Sequence, residues 1–190
     1  WHKKDREAGV VPHTAIDPET HWTKSGWHGW VYGWKLHLVI TVAAVWIPLA
    51  AEVTPANAAD SEVAPRLLHE LPVTLRFLLG DTSYDDTALR EQCAAVDRVL
   101  VTSKHGAYPH DDAGKEVRRL FHQLRSHAIE NFNEQFRALF DCHGPVPTRG
   151  LRAARRYLLG AVFVYQVILL YRGEAGADLR LGLKAFLKAA

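Results

Sequence analysis

The stretch Arg76-Phe77-Leu78-Leu79-Gly80-Asp81-Thr82-Ser83-Tyr84-Asp85-Asp86 drives an apolar run straight into a carboxylate and then a polar turn. A short continuous apolar run bounded by turn residues reads as a buried strand, here Thr74 to Leu79. In open α/β sheets functional side chains gather where strands reach their carboxyl ends, and Asp81 stands at such an end. The plainer role for an aspartate there is to cap the turn or the next helix.

The elements on either side set the fold class. Upstream, Trp34 to Val42 and Trp46 to Val53 read as two strands of an antiparallel hairpin turning at Ala43-Ala44. Thr54-Pro55-Ala56-Asn57 breaks the second strand, and Asp60 or Ser61 is placed to cap a helix running towards Leu71. Downstream, Asp85 or Asp86 caps a helix to about Ala95, Arg98 to Thr102 is a further strand, and Ser103 to Gly114 is a polar loop. From Lys115 the period changes. Val117, Leu120, Phe121, Leu124, Ala128, Phe132, Phe136 and Leu139 form the buried stripe of a long amphipathic helix, stopped by Gly144-Pro145. A second helix covers about Leu151 to Tyr171, and Leu179 to Leu187 forms a short last one. This order predicts an α/β fold, a mixed sheet with helices packed on it. Residues 1 to 33, with Trp22, Trp27 and Trp30 but no periodicity, read as an irregular N-terminal arm; 34 to 172 form the main domain and 173 to 190 a C-terminal tail.

At 190 residues the chain is long enough to bury a real core. Cys93 and Cys142 form no C-x-x-C pair, which argues against a disulfide framework or a zinc knuckle and makes a reducing cytosol the default. Absence of methionine and a start at Trp1 read as a fragment. The apolar runs Leu38 to Ala51 and Tyr157 to Tyr171 are each shorter than the ~18 to 20 residues of a spanning helix, so no membrane is expected. The net charge of +2 hides an asymmetry: from Lys115 onward there are 13 Lys/Arg against 6 Asp/Glu, and before it 10 against 15. Arg149, Arg152, Arg155 and Arg156, with no acid among them, fit a phosphate-bearing partner or a solvated helix face.

Glu130 is the second acid of interest. It lies on the long helix just off the apolar stripe, sharing one side with His127 and Glu134, with Arg137 one further turn along.

Four segments occur in order: Gly29-Trp30-Val31-Tyr32-Gly33-Trp34-Lys35-Leu36-His37; Pro48-Leu49 through Thr54-Pro55-Ala56-Asn57 to Asp60-Ser61; Leu79-Gly80-Asp81 through Tyr84-Asp85; and Ile129-Glu130-Asn131-Phe132 through Phe136-Arg137. Together they resemble the DDE transposases of bacterial insertion sequences, whose domain is ribonuclease-H-like. The resemblance covers about residues 15 to 170. It implies that Asp81 is the second catalytic acid and Glu130 the third, both ligands of two divalent ions, Mg2+ or Mn2+. It also implies Arg137 as a DNA contact. The arginine that relatives carry three or four residues before the glutamate is replaced by His127 and Ser126, with Arg125 the nearest. The first acid should close a strand upstream of Gly29. Asp17, in Ile16-Asp17-Pro18-Glu19, is the fallback, and the expectation is that the first strand and its aspartate precede Trp1.

Two ions held by acids from two strand ends and a helix can clamp the attacking and leaving oxygens of an in-line displacement at phosphorus. The implied activity is DNA cleavage by water followed by strand transfer to a target duplex, by a protein of the bacterial cytoplasm and nucleoid; the resemblance leaves the oligomeric state open, a homodimer being one option. The alternative is an inactive remnant that at most binds double-stranded DNA through Arg125, Arg137 and the Arg149 to Arg156 cluster. No helix-turn-helix or zinc finger that would read transposon ends is visible in the sequence.

Overall fold

The computed structural model describes residues 3–9, 17–26, 29–42, 45–102, 111–140, 146–178 and 182–189. The turn at Ala43-Ala44, most of the loop from Ser103 to Gly114, the helix stop at Gly144-Pro145, Trp27 and Cys142 lie outside them.

A short helix α1 (Lys3–Glu7) precedes three antiparallel strands, β1 (His21–Ser25), β2 (Gly29–Ile40) and β3 (Pro48–Pro55), in the order β1-β2-β3. The expected hairpin of the two Val/Ile/Leu-rich runs is β2 with β3, paired from Trp34 opposite Pro55 to Val39 opposite Ala50. The arm is less irregular than its composition implies. His21–Ser25 pairs with Gly29 to Gly33, and the Trp22 ring rests 5.2 Å from that of Tyr32. Tryptophans packed across a hairpin need no helical or strict twofold period to be ordered.

Helix α2 (Asp60–His69) follows β3. Neither Asp60 nor Ser61 caps it: the cap position is Ala59, and Asp60 is the first helical residue, its carboxylate turned to β2 instead. At the other end of α2, the buried Arg98 guanidinium donates to the carbonyls of Leu68, Leu71 and Pro72, satisfying acceptors that a helix terminus leaves open.

The stretch from Arg76 to Asp86 forms β4 (Phe77–Leu79) and a 3-10 turn at Thr82–Tyr84, and its last residue, Asp86, caps helix α3 (Thr87–Ala95). Strand β5 (Val99–Val101) then runs parallel to β4 with Leu78 opposite Leu100. This is a βαβ unit, in which a helical crossover lets neighbouring strands run parallel. Among the described residues β4 and β5 form a sheet of their own, so the single mixed sheet expected from the sequence is two sheets, three strands antiparallel and two parallel.

Two long helices, α4 (Asp112–Phe140) and α5 (Leu151–Glu174), and the short α6 (Leu183–Ala189) complete the chain. Phe132 and Phe136 of α4 pack on Tyr165 of α5 and Leu183 of α6, over Leu36, Leu38 and Ile40 of β2. Each such side chain taken out of water contributes about 1.5 to 3 kcal/mol before entropy is charged. The stripe of α4 is buried only in its second half: Ala128, Phe132 and Phe136 are covered, whereas Val117, Leu120 and Leu124 are exposed. Helix α5 is longer than its apolar run, because charge at Arg152, Arg155 and Arg156 marks exposure and not a helix end. Its 24 residues are long and apolar enough to cross a membrane by length and composition, and one face is exposed at Phe163, Val167 and Leu170.

Candidate active site

The site is built where the middle of β2, the first residue of α2 and the turn after β4 come together. Lys35 and His37 alternate with Leu36 on β2, so both point away from the core that Leu36 enters. Lys35 Nζ donates to the Ala58 carbonyl at 3.0 Å and lies 3.4 Å from Asp60 Oδ1. The buried His37 ring holds Thr54 Oγ1 at 2.9 Å through Nε2 and faces Asp60 Oδ1 at 3.2 Å through Nδ1. The hydrogen bond with His37, helped by the Lys35 charge, keeps the Asp60 carboxyl below the usual range despite the opposing effect of burial. Two of the four ordered segments are thus locked to each other by side chains.

The lock reaches the third segment through one hydroxyl. Asp81 leaves the end of β4 in extended conformation, and its Oδ1 accepts the Ser83 amide at 2.8 Å and the Ser83 hydroxyl at 2.5 Å. The same hydroxyl stands 3.3 Å from Asp60 Oδ2. It carries a single proton, so it bridges two carboxylates and can donate fully to only one at a time. Tyr84 sits over the pair; burial first, then the charges of Asp60 and Asp81, push its phenol well above its ordinary value. Gly80 leaves room for that ring, since a Cβ there would lie 2.9 Å from Tyr84 Cβ. Asp85 pairs with Arg90, which also reaches the Leu100 carbonyl and Thr102 Oγ1 and so fixes the turn after Asp81 to the end of β5.

Asp60 and Asp81 open on a cavity of about 550 Å3 between β2 and β4. Arg125, Ile129, Phe132 and Asn133 of α4 line it as well, whereas His127 and Glu134 do not. Glu130 is exposed on the adjoining strip of α4 and is not one of the residues lining the cavity. Asp17 has other work. Its Oδ2 accepts the Gly150 amide at 2.6 Å and its Oδ1 the Glu19 amide at 3.1 Å, while Glu19 Oε2 accepts the Leu151 amide at 3.0 Å. Two acids therefore cap α5 from outside, where its own cap residue, Gly150, has no side chain to offer.

Of the expected DNA-contacting residues, Arg137, Arg149, Arg152 and Arg156 are exposed and Arg125 is half-buried in the cavity wall. Arg155 is committed elsewhere, with Nε donating to the Val53 carbonyl at 3.1 Å and a guanidinium nitrogen 3.7 Å from Glu52.

A family model described as the transposase DDE domain matches residues 1–166. The chain belongs to that family. No curated protein and no solved structure matches it. Transposases of this family generally use divalent metal ions, and the donor chemistry here suits hard cations, which take carboxylate and hydroxyl oxygens. The set is incomplete: among the described residues no group of three or more His, Cys, Asp or Glu side chains gathers closely enough to hold an ion. Asp60 and Asp81 are a pair of carboxylates on the cavity wall. Sequence reasoning missed Asp60, Lys35, His37 and Ser83 as members of this candidate site. Their signal was present in the four ordered segments, where they served as landmarks and not as side chains with partners.

Proposed function

We propose that this transposase chain forms a ribonuclease-H-like catalytic domain acting on double-stranded DNA, in which Asp81 and Glu130 are two of the acids and magnesium or manganese is the cofactor. The chemistry is attack of water on a phosphodiester, which breaks its P–O3′ bond and frees a 3′ hydroxyl, followed by attack of that hydroxyl on a target phosphodiester, forming a new P–O bond as the target's P–O3′ bond breaks and its own 3′ hydroxyl leaves. The observation that carries the reading is the position of Asp81: at the carboxyl end of β4, on a cavity whose opposite wall is α4, the helix that bears Glu130. Arg125 on that wall supplies a cation beside the acids, and the exposed Arg149, Arg152 and Arg156 supply a surface for the phosphate backbone.

The second reading is a chain that binds DNA without cutting it, favoured by there being, among the described residues, no group of three or more His, Cys, Asp or Glu side chains that could hold an ion. Plasmid cleavage and strand transfer with magnesium or manganese separate the two. Cutting that disappears in Asp81→Ala and in Glu130→Ala supports the catalytic assignment, and cutting that persists undiminished in Asp81→Ala refutes it. Salt-dependent DNA binding with no cutting supports the second reading.

A further inference from the structure

Helix α5 has one side built into the fold and one side open. On the first, Ala154, Leu158, Ala161 and Tyr165 are buried, Gln166 Nε2 donates to the Pro48 carbonyl at 2.8 Å, and Arg155 Nε donates to the Val53 carbonyl at 3.1 Å. On the second, Arg152, Arg156, Phe163, Val167, Leu170 and Glu174 recur at steps of three, four and seven residues, the spacing of one helix face, and all six are exposed. The apolar middle of this face is large: Phe163 is 65 % exposed, Leu170 64 % and the neighbouring Tyr171 53 %. An aromatic side chain carries about 150 to 250 Å2 of surface, so Phe163 and Tyr171 alone leave on the order of 200 Å2 in water. With Val164, Val167 and Leu170 added, the patch is of the size that marks an interaction surface and not scattered exposure.

Gly160 shows where a partner approaches. It stands three residues before Phe163 and seven before Val167, on the same face, and a Cβ there would meet nothing within 4 Å. Glycine inside a helix is destabilising relative to alanine, and no described residue of this chain uses the room it leaves. The face therefore carries a notch beside a ridge of large side chains.

The same face is complementary to itself. It is basic at its amino end, where Arg156 stands, apolar in the middle and acidic at Glu174. A second copy laid antiparallel, with Phe163 of each over Val167 of the other, brings Leu170 of each over the other's Gly160 and Arg156 of each opposite the other's Glu174. Twofold symmetry makes every one of these contacts occur twice. A parallel arrangement sets Arg156 against Arg156 and Glu174 against Glu174, and like charges oppose it. Within one chain the two residues stand five helical turns apart, about 27 Å along the axis, so they cannot pair with each other. A lipid bilayer also takes a helix of this length and composition, but insertion would break the bonds of Gln166 and Arg155 to β3 and strip Tyr165 from the core. Docking on the open side leaves all three in place.

We infer that the exposed face of α5 is a self-association surface on which a second copy of this chain packs antiparallel, with Leu170 in the Gly160 notch and Arg156 against Glu174. The area is at the low end for specific interfaces, so the dimer is reversible. The inference rests on this surface alone and stands apart from the catalytic reading of Asp81 and Glu130.

Sedimentation equilibrium of the full chain between about 1 and 200 μM tests it, with the monomer expected at the bottom of that range and the dimer at the top. Gly160→Leu fills the notch and enlarges the apolar patch, so it separates a specific fit from mere stickiness: the dissociation constant is expected to rise about tenfold or more. Arg156→Glu and Glu174→Arg are each expected to weaken the dimer, and the double variant to recover most of the loss, which only an antiparallel contact between copies can produce. A chain that stays monomeric throughout, tighter association of Gly160→Leu, or a double variant as weak as its parents overturns the inference. So does a chain monomeric in solution that partitions into phosphatidylcholine vesicles, since the face would then belong to a membrane.

Discussion

His37 Nδ1 lies 3.2 Å from Asp60 Oδ1, joining the middle of one strand to the first residue of a helix 23 positions later. The contact makes Asp60 a structural anchor of the site as well as one of its carboxylates. Asp60→Asn keeps the shape and removes the charge, and about 1 to 2 kcal/mol of stability is expected to go with it at pH 7, the scale of a hydrogen bond to a charged group. The folded Asp60 carboxyl is held below its unfolded value. Its contribution is therefore complete above about pH 4 and is lost as pH falls through the lower folded value. Urea unfolding of both proteins at pH 7 and near pH 2.5 checks this, with the gap between them expected to close in acid.

Gly150 gives a second, independent anchor. Its φ of 79° and ψ of 149° lie in a region open essentially to glycine, and a Cβ would stand 2.7 Å from Glu19 Oε2. Gly150→Ala is expected to cost about 1 to 3 kcal/mol. In a Glu19→Ala background the cost is expected to shrink without vanishing, because the clash is relieved and the backbone strain stays. Thermal unfolding of the four proteins of this cycle measures the difference.

These anchors show what the sequence carried and what it withheld. The period change at Lys115, the hairpin of β2 and β3, the βαβ unit after Thr74 and the cap at Asp86 are local signals, and each was legible from spacing and turn chemistry. Asp17 capping a helix 133 residues away is not local, and no window of sequence contains both partners. The separation of the two sheets was hidden for the same reason: strand pairing depends on which edges meet, whereas periodicity reports only which faces are apolar. At the site, Asp81 was legible as a strand-end acid. Its neighbour Asp60 reads in the sequence as a helix cap, because Asp before a helical pattern is the ordinary signal for one.

The basic cluster at the start of α5 divides by what each side chain touches. All four are exposed, and Arg155 alone of them is also bonded to the β3 backbone among the described contacts. Replacing Arg149, Arg152 and Arg156 with Ala is expected to flatten the salt dependence of DNA binding, by about 0.9 in logarithmic slope for each phosphate no longer neutralised, and to leave the unfolding midpoint unchanged. Arg155→Ala is expected to do the reverse, costing about 1 kcal/mol of stability with little change in slope. Binding titrations between about 50 and 200 mM salt, beside unfolding curves, separate the two classes.

Replacing Asp81 or Glu130 separates a metal-binding role from a structural one. Asp81→Asn retains an oxygen to accept the Ser83 amide, so the turn is expected to survive with a loss of about 1 kcal/mol or less. Glu130 is exposed on α4, and Glu130→Gln is expected to change stability by no more than about 0.5 kcal/mol. Manganese binding, followed by electron paramagnetic resonance of the free ion, is expected to weaken at least tenfold in Asp81→Asn and measurably in Glu130→Gln. A site that needs Asp81 alone would leave the Glu130→Gln titration superimposed on that of the parent protein, and the role assigned to the α4 acid would then be wrong even though the fold and the Asp81 pocket stood.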